Sequence, residues 1–120
     1  MSDQFRATVY YDGACPLCRR EIGFYRACRG AETIDWVDVA AVDQPAADLD
    51  RASALARFHV RSSDGRLVSG AVAFLELWRS LPGWRAAARL LSLPPLPWLL
   101  ERLYRLFLRF RPAIARRLGG

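Results

Sequence analysis

Lysine is absent from this chain, histidine occurs once, and cysteine occurs only three times in 120 residues. Each scarcity narrows the chemistry. With no export leader expected, three cysteines do not make the disulfide scaffold of a small secreted domain, which leaves metal or redox chemistry to examine first. Structural zinc takes four Cys/His ligands. Beyond the pair Cys15 and Cys18, only Cys28 and His59 could complete such a set. Cys28 lies ten residues past Cys18 in what reads as the same helix. That is about 15 Å along the axis, too far for one coordination sphere or for a disulfide. No metal and no separate cofactor are therefore expected. Cys28 reads as a small apolar residue near a helix end, and His59 as a structural histidine in an alternating strand.

Long apolar runs are also missing. The uncharged stretch Leu90 to Leu100 carries Pro94, Pro95 and Pro97, whereas a membrane span needs roughly 20 apolar residues. Met1 to Arg6 has neither a basic region nor an apolar core, so no leader and a cytoplasmic location are expected, with membrane-peripheral attachment left open. What is present is globular: 52% hydrophobic and 25% charged residues, in a length that suits one domain.

All 18 basic residues are arginine, which reads as a compositional bias in a chain dominated by Ala, Arg and Leu. Their placement is more informative. Met1 to Trp78 holds nine Arg against eleven Asp/Glu, a net −2; Arg79 to Gly120 holds nine Arg against Glu101 alone, a net +8. A mildly acidic unit, residues 1–83, thus precedes a basic segment, residues 84–120, expected to pack as part of the same domain.

Phe5, Ala7, Val9 and Tyr11 alternate with Arg6, Thr8 and Tyr10, which predicts a first strand over about 6–11. Asp12-Gly13 breaks it. Pro16 suits a first helical position, and Cys18, Ile22 and Tyr25 form an apolar stripe at i, i+4, i+7 up to Gly30. Thr33 to Val39 alternates again, and the pair suggests a parallel β-α-β unit. Ala46 to Ala56 has weak helical character. Phe58–Arg61 and Arg66–Ser69 flank Ser62-Ser63-Asp64-Gly65 as a hairpin. Val72, Leu75 and Trp78 then predict a helix that Pro82-Gly83 stops. The order β-α-β-α-β-β-α resembles a thioredoxin-like core: an α/β fold with a mixed sheet, followed by extra C-terminal helices.

Cys15-Pro16-Leu17-Cys18 carries the chemistry. It follows the first strand and opens a helix, where unbonded N–H groups and about +0.5 of dipole charge collect. Cys15 at the N-cap should hold a stabilised thiolate, with Arg19 and Arg20 adding positive potential. Cys18, one turn on, lies toward the sheet and is better shielded. The expected roles are Cys15 as exposed nucleophile and Cys18 as resolving thiol. Asp12 has two readings: a carboxylate relaying the Cys18 proton, or a turn residue holding loop N–H groups. Gly13 is expected for its backbone conformation.

Val9-Tyr10-Tyr11-Asp12-Gly13-Ala14-Cys15-Pro16-Leu17-Cys18-Arg19-Arg20-Glu21 resembles the signature of the DCC family of thiol-disulfide oxidoreductases. The name corresponds here to Asp12, Cys15 and Cys18. The likeness continues in the hairpin, in Ser69-Gly70-Ala71, in Leu81-Pro82-Gly83 and in a final helix with Tyr104 and Arg109. It implies a thioredoxin-like fold, dithiol exchange, and a protein or small-molecule thiol/disulfide as substrate. Where thioredoxins place a cis-proline ahead of the hairpin, this chain has Leu55-Ala56-Arg57. Pro16 sits as in glutaredoxin.

From Trp98 to Phe110, Arg102, Arg105 and Arg109 form one stripe, and Leu99, Leu100, Leu103, Tyr104, Leu106, Phe107, Leu108 and Phe110 fill the rest. Such a helix packs on the core, lies on a membrane surface, or docks a partner protein. Nucleic acid is not expected, because Leu and Phe surround the arginines. The dithiol unit is expected to close without this tail. The competing functional reading is a non-enzymatic docking module with a basic amphipathic C-terminus.

Overall fold

Short apolar stretches between turn residues set the elements. The computed structural model describes residues 5–119. Strand β1 (Ala7–Tyr11) leads into helix α1 (Pro16–Arg26), strand β2 (Ile34–Asp38), helix α2 (Arg51–Ala56), strands β3 (His59–Ser62) and β4 (Leu67–Ser69), and helix α3 (Ala71–Ser80). Two further helices follow, α4 (Arg85–Leu91) and α5 (Leu96–Gly119). The sheet order is β2-β1-β3-β4. β1 runs parallel to β2, with Val9 opposite Trp36, and antiparallel to β3, with Val9 opposite Val60. β3 and β4 form the Asp64-Gly65 hairpin, with Val60 opposite Val68. The topology is a mixed α/β fold of the thioredoxin-like type with a long C-terminal helix added.

The two-residue alternation of β1 sends side chains to two cores. Ala7 and Val9 join Ile22 and Tyr25 of α1 and Ala73 and Leu77 of α3 on one face. Tyr10 joins Val39, Leu49 and Ala54 on the other. α5 lies against α1 and α3. α3 is therefore covered on two sides, and its fully buried residues are Ala73 and Leu77 rather than the expected Val72, which is exposed.

Two boundaries differ from the sequence reading. α1 ends at Arg26 rather than Gly30, leaving Cys28 just past the helix, where its thiol donates to the Phe24 carbonyl at 3.5 Å. α2 begins at Arg51 because the Asp50 carboxylate captures the Ser53 N–H at 3.2 Å, a side-chain cap that fixes the start. α5 continues through Pro112, which lacks one N–H but does not end the helix.

Candidate active site

The loop from β1 into α1 is fastened by polar contacts. Asp12 Oδ1 accepts from the Ala14 N–H at 3.0 Å, and the Gly13 N–H donates to Asp38 Oδ1 at 2.8 Å, tying the loop to the end of β2. A Cβ on Gly13 would fall on the Asp38 carboxylate. Close approach, and not the unusual backbone conformation expected from the sequence, requires glycine here. Arg19 Nη1 donates to the Gly13 carbonyl at 3.0 Å, so this arginine holds the loop. Pro16 lies in the first turn of α1, and Cys15 is its N-cap, with extended backbone and Sγ accepting the Cys18 N–H at 3.4 Å.

The C-terminal helix reaches this loop. Arg111 Nη2 donates to Asp12 Oδ2 at 3.0 Å, and Nη1 to the Leu55 carbonyl at 3.5 Å. The same guanidinium lies close enough to the Cys15 thiol for its charge to favour the thiolate. Leu55 belongs to the segment where thioredoxins carry their cis-proline, so in this chain an arginine from α5 spans from that segment to the dithiol loop. The docking of α5 is specified by further contacts. Tyr104 Oη accepts the Phe58 N–H at 2.8 Å. Glu101 accepts from Ala71 N–H at 3.2 Å and from Arg57 Nη2 at 2.9 Å. Gly70, at φ +71°, lets Arg57 and Glu101 approach the backbone there.

Exposure corrects one expectation. Cys15 retains only 8% of its surface, while Cys18 is half-buried. Cys15 is covered, and the Cys18 N–H donates to its sulfur. Burial raises its pKa, and this is outweighed by hydrogen bonds from the Cys18 thiol and N–H and from Arg111, so the value lies below that of an ordinary thiol. Cys18 instead lines a cavity of about 40 Å³ with Ile22, Phe58, Phe74 and Tyr104. Burial, together with its bond to Cys15, pushes the Cys18 thiol up to about 12. The two sulfurs, three residues apart, are thereby driven in opposite directions.

Asp12, Glu21 and Arg111 line the same cavity. Burial raises the Glu21 carboxyl, with Arg111 opposing. His59 lies elsewhere, buried in β3, with Nδ1 at 2.9 Å from the Arg57 carbonyl and its pKa lowered by burial. Among the described residues no three Cys, His, Asp or Glu side chains gather as a metal site, and no helix is long and apolar enough to cross a membrane.

This chain belongs to the DCC1-like thiol-disulfide oxidoreductase family, whose sequence profile matches residues 9–117. An uncharacterised chloroplastic protein of Arabidopsis thaliana is 33% identical over 85 residues, which cover 67% of this chain and 40% of the relative. The chain thus spans well under half the length of that curated relative. No solved structure matches.

Sequence reasoning identified the loop, the dithiol and α1. It missed Arg111 and Glu21 as members of the site. Arg111 lies seven residues from Tyr104, hence on the same helix face, and Tyr104 is buried on the core side. That spacing was the available signal. Arg109, on the other hand, is exposed.

Proposed function

We propose that this protein performs thiol-disulfide exchange, with Cys15 as the attacking thiolate and Cys18 as the resolving thiol. The observation that carries the reading is the divergence of the two sulfurs. Cys15, at a helix N-terminus and beside the Arg111 charge, ionises more readily than an ordinary thiol, whereas Cys18 is held as the thiol. Cys15 Sγ attacks one sulfur of a substrate disulfide, forming a mixed disulfide and releasing the other sulfur as thiolate. Cys18, once deprotonated, attacks Cys15 Sγ. The Cys15–Cys18 bond forms, the bond to substrate breaks, and the second substrate sulfur leaves with the electron pair and takes up a proton. The substrate gains two electrons and the dithiol loses two; an external thiol restores it. Asp12, Gly13, Pro16 and Arg19 act by shaping the loop that presents Cys15. A reducing compartment, as in the cytoplasm, suits this dithiol.

The test is trapping. Reduced Cys18→Ser protein mixed with a small aromatic disulfide should retain one substrate half on Cys15, seen by intact mass and peptide mapping. An adduct on Cys28, or none, would refute the assignment.

The outer face of α5 supports a second feature of the same protein. Leu99, Leu103, Leu106 and Phe110 are exposed along one stripe, beside exposed Arg102, Arg105 and Arg109. An apolar strip flanked by arginines fits the surface of an anionic bilayer, which would bring the dithiol to membrane-associated substrates.

A further inference from the structure

The exchange reading requires Cys18 to lose a proton before it can attack, and its thiol is the hard one to ionise. Three features of the cavity beside it bear on where that proton goes. Asp12, the nearer candidate in sequence, has both carboxylate oxygens engaged, Oδ1 by the Ala14 N–H and Oδ2 by Arg111 Nη2. Glu21 lies one turn beyond Cys18 on α1, a spacing that stacks two side chains on one helix face. It lines the cavity that Cys18 lines. Among the described residues no hydrogen bond or ion pair engages its carboxylate.

We propose that Glu21 is the proton acceptor for Cys18 in the resolving step. This rests on the dithiol reading above. As Cys18 Sγ attacks Cys15 Sγ, the Cys18 proton moves through the cavity to the Glu21 carboxylate, which becomes a carboxylic acid. No other bond changes beyond the disulfide exchange already described. A cavity of about 40 Å³ has room for a bridging water. Glu21 also lines the wider groove between α3 and α5, beside Leu75, Trp78 and Leu103, and this gives the proton a way out to solvent.

The surroundings tune the group. Facing the two pockets that Glu21 lines are Asp12 from the loop, Cys18 and Tyr25 from α1, Tyr10 and Tyr11 from β1, Arg57 ahead of β3, and Tyr104 and Arg111 from α5. Burial raises the carboxyl, and the Arg111 charge opposes that rise by favouring the ionised form. A base whose pKa lies between that of a free carboxylate and that of the thiol takes the proton and later returns it to solvent.

The experiment follows the two releases of a chromogenic aromatic disulfide by stopped flow, in single turnover with the full chain. The first release reports attack by Cys15, and the second reports resolution by Cys18. In Glu21→Gln the first phase should be unchanged and the second slowed by about 10²-fold at pH 7, with Glu21→Asp recovering part of the loss. The second phase of the natural protein should rise with an inflection above the ordinary carboxylate pKa, and in Glu21→Gln it should climb with hydroxide instead. An unchanged second phase in the Gln variant, or no inflection in the natural protein, overturns the proposal; the latter readout needs no variant to fold. Absence of the first phase in the natural protein, or a normal second phase in Cys18→Ser, would instead overturn the dithiol reading.

Discussion

Arg111 Nη2 donates to Asp12 Oδ2 at 3.0 Å across a sequence separation of 99 residues. One end of the bond holds the loop that presents Cys15, and the other lies near the end of α5. The side chains keep only 17% and 19% of their surface, so solvent screens the pair weakly. The basic C-terminal segment is accordingly a structural part of the dithiol environment, despite the division of charge along the chain.

Replacing Arg111 with Met keeps much of the volume but removes the guanidinium from Asp12, Cys15 and the Leu55 carbonyl. Stability should fall by about 1–3 kcal/mol, because Asp12 keeps its charge without a partner. Cys15 should titrate higher and be alkylated severalfold more slowly at pH 7. Denaturant melts and iodoacetamide rates against pH provide the readouts. A variant with unaltered Cys15 titration would remove Arg111 from the thiolate's support. Asp12→Asn, which retains the bond to the Ala14 N–H, separates the two readings of Asp12. A turn residue leaves the resolving step intact, whereas a proton relay loses it.

Among the three cysteines, Cys15 should react first with a small alkylating reagent at neutral pH, and Cys18 should stay largely silent until strongly alkaline conditions, given a thiol pushed up to about 12. The cover over Cys15 adds a size dependence. Iodoacetamide should label it readily, and a bulky maleimide disproportionately slowly. Mass mapping over time decides the order, and prior labelling of Cys18 or Cys28 would reverse the assignment of nucleophile.

Local signals made much of this legible beforehand. The alternation of Ala7 to Tyr11, the Asp-Gly breaks and Pro16 ahead of Cys18 each act within a few residues, so the strand, the turn and the N-cap could be read from neighbours. The parallel pair and the hairpin followed from a helix joining two strands and from a tight Asp-Gly turn. Arg111 could not be read this way. Its partners are Asp12 and Leu55, and the stripe of Arg102, Arg105 and Arg109 that stands out in the sequence is the solvent face of the same helix. Local periodicity also placed the start of α2 too early, because Asp50, and not the alanine run before it, supplies the cap.

Glu21 should impose a pH dependence on stability that Glu21→Gln lacks. The folded carboxyl is raised above the ordinary 4.5. Between the unfolded and folded values the native state holds more protons than the unfolded chain, so stability declines as pH rises. The contribution is fully present below 4.5 and is lost as pH climbs through the folded value. Thermal melts of both proteins from pH 4 to 8 should therefore show the Gln variant gaining on the natural protein toward pH 8. A difference that stays constant across that range would mean that Glu21 titrates normally.

The last expectation concerns the outer face of α5. Deleting the whole helix is a poor test of docking, because Glu101, Tyr104 and Arg111 bond Ala71, Phe58 and Asp12, and the truncated protein should lose much of its stability. Substitutions on the exposed stripe leave those bonds in place. Leu103→Ser with Phe110→Ser removes apolar surface, and Arg102→Gln with Arg109→Gln removes charge, each with little change in melting. If the face meets an anionic bilayer, the natural protein should sediment with phosphatidylserine vesicles at low salt. It should release as salt shortens the Debye length from about 30 Å at 0.01 M to about 8 Å at 0.15 M. Each basic residue near such a surface contributes about 1 kcal/mol, so the double Gln variant should bind about 30-fold more weakly. Neutral vesicles should retain the natural protein poorly. Binding that ignores both salt and lipid charge would point to the apolar stripe alone, and no binding to either vesicle would exclude a bilayer and leave a partner protein for this face.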